Sequence, residues 1–272
     1  MDPIFAYMQP VLDLIAPIVS SETISRLGTD NVRIHGLPSV EPGSQLALDD
    51  TRLNGFWSSV VGTISLGGAI DAVLGLRDVL SSDTVTSASP WTLTRQAIES
   101  SSTALWILGP ESRDHRFERT LRYWRDDIEE WEKWRVAAGR PTPSPNTHNG
   151  QPLDMTAPAR LGRVRETAAA LGLRVNQVNA KFALHDVVAA AAETAGLDRK
   201  AATATWRAAS GFAHSRMWPT TVLHNVYAGE RLATGAQSAV TTFDEREHAR
   251  SLDVLTPIMS TAFARYRTLA TA

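Results

Sequence analysis

The chain has 272 residues, enough to bury a large core either as one domain or as a bundle with an appended piece. Apolar residues make up 43% and charged residues 21%, which excludes a disordered chain, and a net charge of -2 excludes global attraction to nucleic acid, so any polyanion site must be local. Cysteine is absent, which removes disulfides, thiolate metal sites and cysteine nucleophiles together.

Of the 27 basic residues only three are Lys (Lys133, Lys181, Lys200), a balance that GC-rich coding sequences such as actinobacterial ones produce. The start, Met1-Asp2-Pro3-Ile4, lacks the basic segment of a secretory signal. Val11 to Val19 is interrupted by Asp13 and Pro17 and falls well short of the roughly 20 apolar residues of a membrane span. The expectation is a cytoplasmic protein with no membrane anchor, whose first helix docks on the main body. Residues 28–43, with three Gly and two Pro, read as an extended connection. This predicts an N-terminal helix and linker over 1–43 and a helical bundle over 44–272.

Between Leu46 and Leu80 the apolar spacing predicts two helices divided near Gly67-Gly68. Ser89 as N-cap and Pro90 in the first turn start the next helix, which Gly109-Pro110 stops after Leu108. It carries Arg95 and Glu99 four apart, continued along the same stripe by Ser102 and Trp106. Arg113 to Ala138 has the clearest helical period, through Phe117, Leu121, Trp124, Ile128 and Trp131. A Pro-rich surface loop without strand character follows over 139–158. Further helices are expected at Ala159–Leu171, Lys181–Ala195, Asp198–Ser215 with Asp198 as N-cap, and from Asp244 to about Thr268. Trp218-Pro219 reads as a chain break, with a short helix over Val222–Leu232. The fold class is all-α.

Within the helix that Asp198 opens, His214 lies seven steps after Arg207, two turns that return to within about 20° of the same face. Ser210 and Gly211 lie between them and leave that face open. A guanidinium, always charged, beside an imidazole, the side chain that exchanges protons near neutrality, can hold a phosphate and move a proton next to it. The same residues allow a structural use, in which Arg207, His214, Arg95 and Glu99 form a polar network between two helices, Glu99 neutralising one Arg and accepting from the imidazole.

Arg, six residues and His on a late helix of an all-α chain resembles the motif of the HEPN superfamily, named for higher eukaryotes and prokaryotes nucleotide-binding. Arg95-Gln96-Ala97-Ile98-Glu99 and Ser210-Gly211-Phe212-Ala213-His214 are also similar to an early Arg-x-x-x-Glu and a late Ser-Gly-x-x-His of bacterial HEPN-like proteins. The likeness covers roughly residues 68–220. It implies a HEPN-like helical bundle with an N-terminal helical extension, forming a homodimer. Active members are metal-independent endoribonucleases of toxin or antiphage type, some held by a neutralising partner protein. The implied roles are proton transfer from a ribose 2′-OH at His214 and phosphorane stabilisation at Arg207, with Ser210, Arg95 and Glu99 supporting and no cofactor. The residue after the Arg is usually polar in active members and is Ala208 here.

Arginines recur at Arg113, Arg116, Arg119, Arg122 and Arg125, a ribbon that either tracks an RNA backbone or is absorbed by helix pairs such as Arg125 with Glu129. Glu245 and His248 have the spacing of half a di-iron site, but no second copy exists and no metal is expected. Phosphate-loop, dinucleotide, zinc-protease and hydrolase-elbow motifs are missing. Two other functions stay open: a non-catalytic interaction protein, and a small-molecule bundle lined by Trp91, Trp106 and Trp218.

Overall fold

The computed structural model describes residues 7–18, 37–82, 85–143, 146–148 and 151–272. They are mostly helical, with two short antiparallel hairpins. The helices are α1 (Gln9–Ile15), α2 (Gln45–Leu53), α3 (Ser58–Leu80), α4 (Ser89–Leu108), α5 (Arg113–Ala137), α6 (Ala157–Ala170), α7 (Val175–Val178), α8 (Leu184–Thr194), α9 (Arg199–Ala213), α10 (Met217–Leu223) and α11 (Glu245–Ala270). The hairpins pair β1 (Asn146–His148) with β2 (Gln151–Leu153) and β3 (Asn225–Arg231) with β4 (Gln237–Thr242). The chain divides into two compact units that alternate along the sequence. The first comprises Met1–Pro38, Gly62–Trp106 and Leu184–Thr268, and the second Ser39–Val61, Ile107–Ala183 and Leu269–Ala272.

In the first unit, Leu66, Ile70 and Val73 of α3, Ile98 and Leu105 of α4, and Leu255, Ile258 and Met259 of α11 are fully buried or nearly so. The break expected at Gly67-Gly68 is absent. A Cβ at Gly68 would lie 3.2 Å from Ser100 Oγ, so this glycine permits close approach to α4 rather than a turn. The chain turns instead at Asn54-Gly55, both with positive φ, which no apolar period could have located. α3 has the length and hydropathy of a membrane span, and 61% of its most apolar stretch is buried inside the protein. Of the N-terminal linker read over 28–43, residues 28–36 lie outside the described residues.

The second unit is built on α5, whose Phe117, Leu121 and Ile128 are buried with Leu53, Phe56, Val164, Ala168 and Val178, while Trp124 and Trp131 cover the edge. This is the period of four and three made physical. Two expectations fail at the hairpins. The 139–158 loop contains the three-residue β1–β2 pair, too short for a sequence pattern to register. Val222–Leu232 is mainly strand, because the β-branched Thr242, Thr241 and Val240 pair opposite Asn225, Val226 and Tyr227 across the turn at Gly235. Trp218-Pro219 opens α10 instead of ending a helix, since Pro in a first turn loses no needed N–H bond.

Candidate functional site

α9 starts where Asp198 accepts from the Ala201 N–H at 2.7 Å. It ends at His214, after which Ser215 adopts φ 52 and the Ser215 and Arg216 amides donate to the carbonyls of Phe212 (3.0 Å) and Gly211 (2.9 Å). That double closure is a Schellman turn with Ser in place of the usual Gly. It turns the chain sharply and brings α10 back along α9. Gly211 makes the return feasible: a Cβ there would stand 2.5 Å from Pro219 Cγ and 3.2 Å from Trp218 Cζ2.

The result is a groove of about 450 Å³ whose lining includes Arg207, Ser210, His214, Arg216, Trp206 and Trp218. Arg207, His214 and Arg216 are all exposed. Arg95 Nε donates to Glu99 Oε1 at 2.8 Å, Trp206 Nε1 donates to the same oxygen at 2.8 Å, and Arg95 Nη1 lies 3.2 Å from His214 Nε2. A guanidinium nitrogen only donates, so this last bond makes Nε2 an acceptor and places the ring proton of the neutral imidazole on Nδ1. Among the described residues no hydrogen bond joins Glu99 to His214, where a simple network would have one. Glu99 anchors Arg95 and Trp206, and Arg95 reaches the imidazole. Among the described residues neither Arg207 nor Arg216 makes an ion pair, and no carboxylate lines the groove, so positive charge is concentrated here on a chain of net charge -2.

Arg216 and Trp206 escaped the sequence reading. Trp206 shares α4's acid only through the fold, and Arg216 falls beyond the helix, in a turn whose positive φ is carried by Ser. Ala208 points away from the groove and is buried.

The arginine ribbon belongs to the second unit and is largely internal. Arg116 is 0% exposed, donates through Nε (2.9 Å) and Nη2 (2.7 Å) to Asp49 Oδ2, and through Nη1 to the Pro110 and Glu111 carbonyls, both at 3.0 Å. Arg113 ion-pairs with the other Asp49 oxygen at 2.8 Å. Arg122 donates to the Lys181 carbonyl, and Arg125 to that of Val178 at 3.4 Å. Burial, with Arg122 nearby, holds Arg119 below the ordinary guanidinium value. Arg116 is thus unavailable to a phosphate, and the ribbon presents no continuous basic face.

His248 is fully buried against Tyr7, Trp91 and Phe243, with Nε2 2.9 Å from Thr94 Oγ1, and burial pushes its pKa down to about 4. Among the described residues no cluster of three metal-ligating side chains forms, around Glu245 or elsewhere. Trp91 and Trp106 are buried, whereas Trp218 is 47% exposed. In comparisons with protein families, curated proteins and solved structures, nothing matches the chain.

Proposed function

We propose that the groove is the active site of a metal-independent endoribonuclease with a HEPN-like bundle, acting in the cytoplasm as a toxin or antiphage effector and working as a homodimer. The observation that carries this reading is the pairing of unneutralised Arg207 with an exposed His214 whose Nε2 is an acceptor on the same groove. A ribose 2′-OH takes the place of Arg95 at Nε2 and gives up its proton there. The 2′ oxygen attacks the adjacent phosphorus, Arg207 and Arg216 stabilise the phosphorane charge, and the P–O5′ bond breaks as the 5′ oxygen takes a proton from water, the proton on His214 then passing to solvent. The products carry a 2′,3′-cyclic phosphate and a 5′-OH. Arg95, still tethered to Glu99, remains beside the ring as it becomes charged.

Incubation of the full chain with single-stranded RNA in EDTA tests this. Cleavage to cyclic-phosphate ends is expected, reduced about 100-fold or more in His214→Ala and Arg207→Ala. Equal rates in wild type and His214→Ala, or no cleavage of any RNA tried, would overturn it.

A second reading, a non-catalytic interaction protein, is favoured by one fact: the bonds from Arg95 and Trp206 to Glu99 and from Arg95 to His214 link α4 to α9 without any ligand. On that reading His214→Ala lowers the melting temperature, while Arg207→Ala changes neither stability nor interaction with a partner.

A further inference from the structure

We propose that a second cavity, next to the groove, is a base-binding subsite, so that the two together accept a nucleotide with its phosphate in the groove and its base in the cavity. This rests on the phosphate assignment made for the groove. The cavity measures about 450 Å³, inside the range of about 300–1,000 Å³ usual for small-molecule sites. Its walls include Trp91, Trp218, Ala204, Ala208 and Leu223, and its polar lining includes Glu247.

Three features select the occupant. First, Arg207 and Trp218 line both the groove and the cavity, so one molecule can span them with its anionic end at Arg207. Second, the walls carry flat aromatic surface. Trp91, 2% exposed and stacked on Phe212 with ring centres 5.0 Å apart and planes at 18°, is a fixed wall with almost no open face, so the stacking surface is that of Trp218. Trp218 is 47% exposed and lines the cavity, so part of its ring is open to a ligand. Nucleobases stack on such surfaces whatever their sequence. Third, Glu247 is held by Arg250 at 2.6 Å, and its carboxylate can accept from the N–H groups on a base edge. A purely aliphatic ligand would leave both that carboxylate and Arg207 unused. Ala208 lines the cavity, and its small side chain keeps the space wide.

Free nucleotides and single-stranded RNA present the same chemistry, and the measurement separates them. Isothermal titration of the full chain would use the four nucleoside 5′-monophosphates, ribose 5-phosphate, and a short 2′-O-methyl oligoribonucleotide that cannot be cleaved. At least one monophosphate is expected to bind about tenfold more tightly than ribose 5-phosphate, the scale of one base stacked on an aromatic ring. Ala204 is exposed, so Ala204→Leu narrows the cavity without entering the core, and it should remove that advantage while leaving ribose 5-phosphate unaffected. Trp218→Ala should weaken the base-dependent part as well. An oligoribonucleotide binding more tightly than any monophosphate identifies RNA as the source, and the reverse order identifies a free nucleotide. Monophosphates binding no better than ribose 5-phosphate, or an advantage untouched in both variants, would overturn the subsite. Because binding is read without cleavage, an inactive protein that still prefers nucleotides loses the nuclease reading only, and an active one with no base preference loses the subsite only.

Discussion

Asp49 gathers the polar chemistry of the second unit. Its two oxygens take Arg113 and Arg116, and the remaining Arg116 donors are used by carbonyls at the start of α5. Removing one partner of a buried ion pair strands the other charge, so Arg116→Ala is expected to lower stability by about 3–5 kcal/mol, measured by urea unfolding. Arg207, equally cationic but exposed and without an ion pair among the described residues, should cost less than about 0.5 kcal/mol when changed to Ala. A large loss at Arg207, or none at Arg116, would contradict these positions. Both residues are spaced helical arginines in the sequence. What separates them is Asp49, far away in sequence, and no local pattern can show which arginine meets it.

At the scale of elements, the groove depends on how α10 folds back on α9. Gly211→Ala sets two effects against each other: Ala favours a helix interior by about 1 kcal/mol, while a Cβ 2.5 Å from Pro219 overpacks the contact by about 1–3 kcal/mol. Overpacking is expected to win by about 1 kcal/mol, lowering the melting temperature and shifting Trp emission as Trp218 moves. A variant at least as stable as wild type, with unchanged emission, would mean that α10 does not pack this closely. The helices themselves were legible. α5 begins at Arg113, α9 follows its Asp198 cap, and α4 stops at Leu108, because period, cap and Gly-Pro stop are local signals. The β3–β4 hairpin was not, since its residues are mostly exposed and carry no buried alternation to read.

For the molecule as a whole, His248 links stability to pH. Its ordinary value of 6.5 falls to about 4 in the fold, chiefly through burial, so the folded state resists the proton that the unfolded chain takes up. The stability that the neutral ring confers is complete above about pH 6.5 and is lost progressively down to about pH 4, at about 1.4 kcal/mol per pH unit, or about 3 kcal/mol in all. Burial pushes His224 down too, so its effect has the same sign. Urea unfolding near pH 7 and near pH 4 should show wild type losing about 3 kcal/mol more than His248→Gln. Equal losses in the two proteins would place the pH dependence elsewhere.

The sequence alone determined the helical class, most helix boundaries and the common face of Arg207, Ser210 and His214, because 3.6 residues per turn and local caps act within a few residues. Only the tertiary structure decided that Arg95, rather than Glu99, meets the imidazole, that Arg116 is sealed while Arg207 is exposed, and that Gly68 and Gly211 serve close packing. Those outcomes depend on which helices approach one another, and a side chain's charge and spacing carry no record of its distant neighbours.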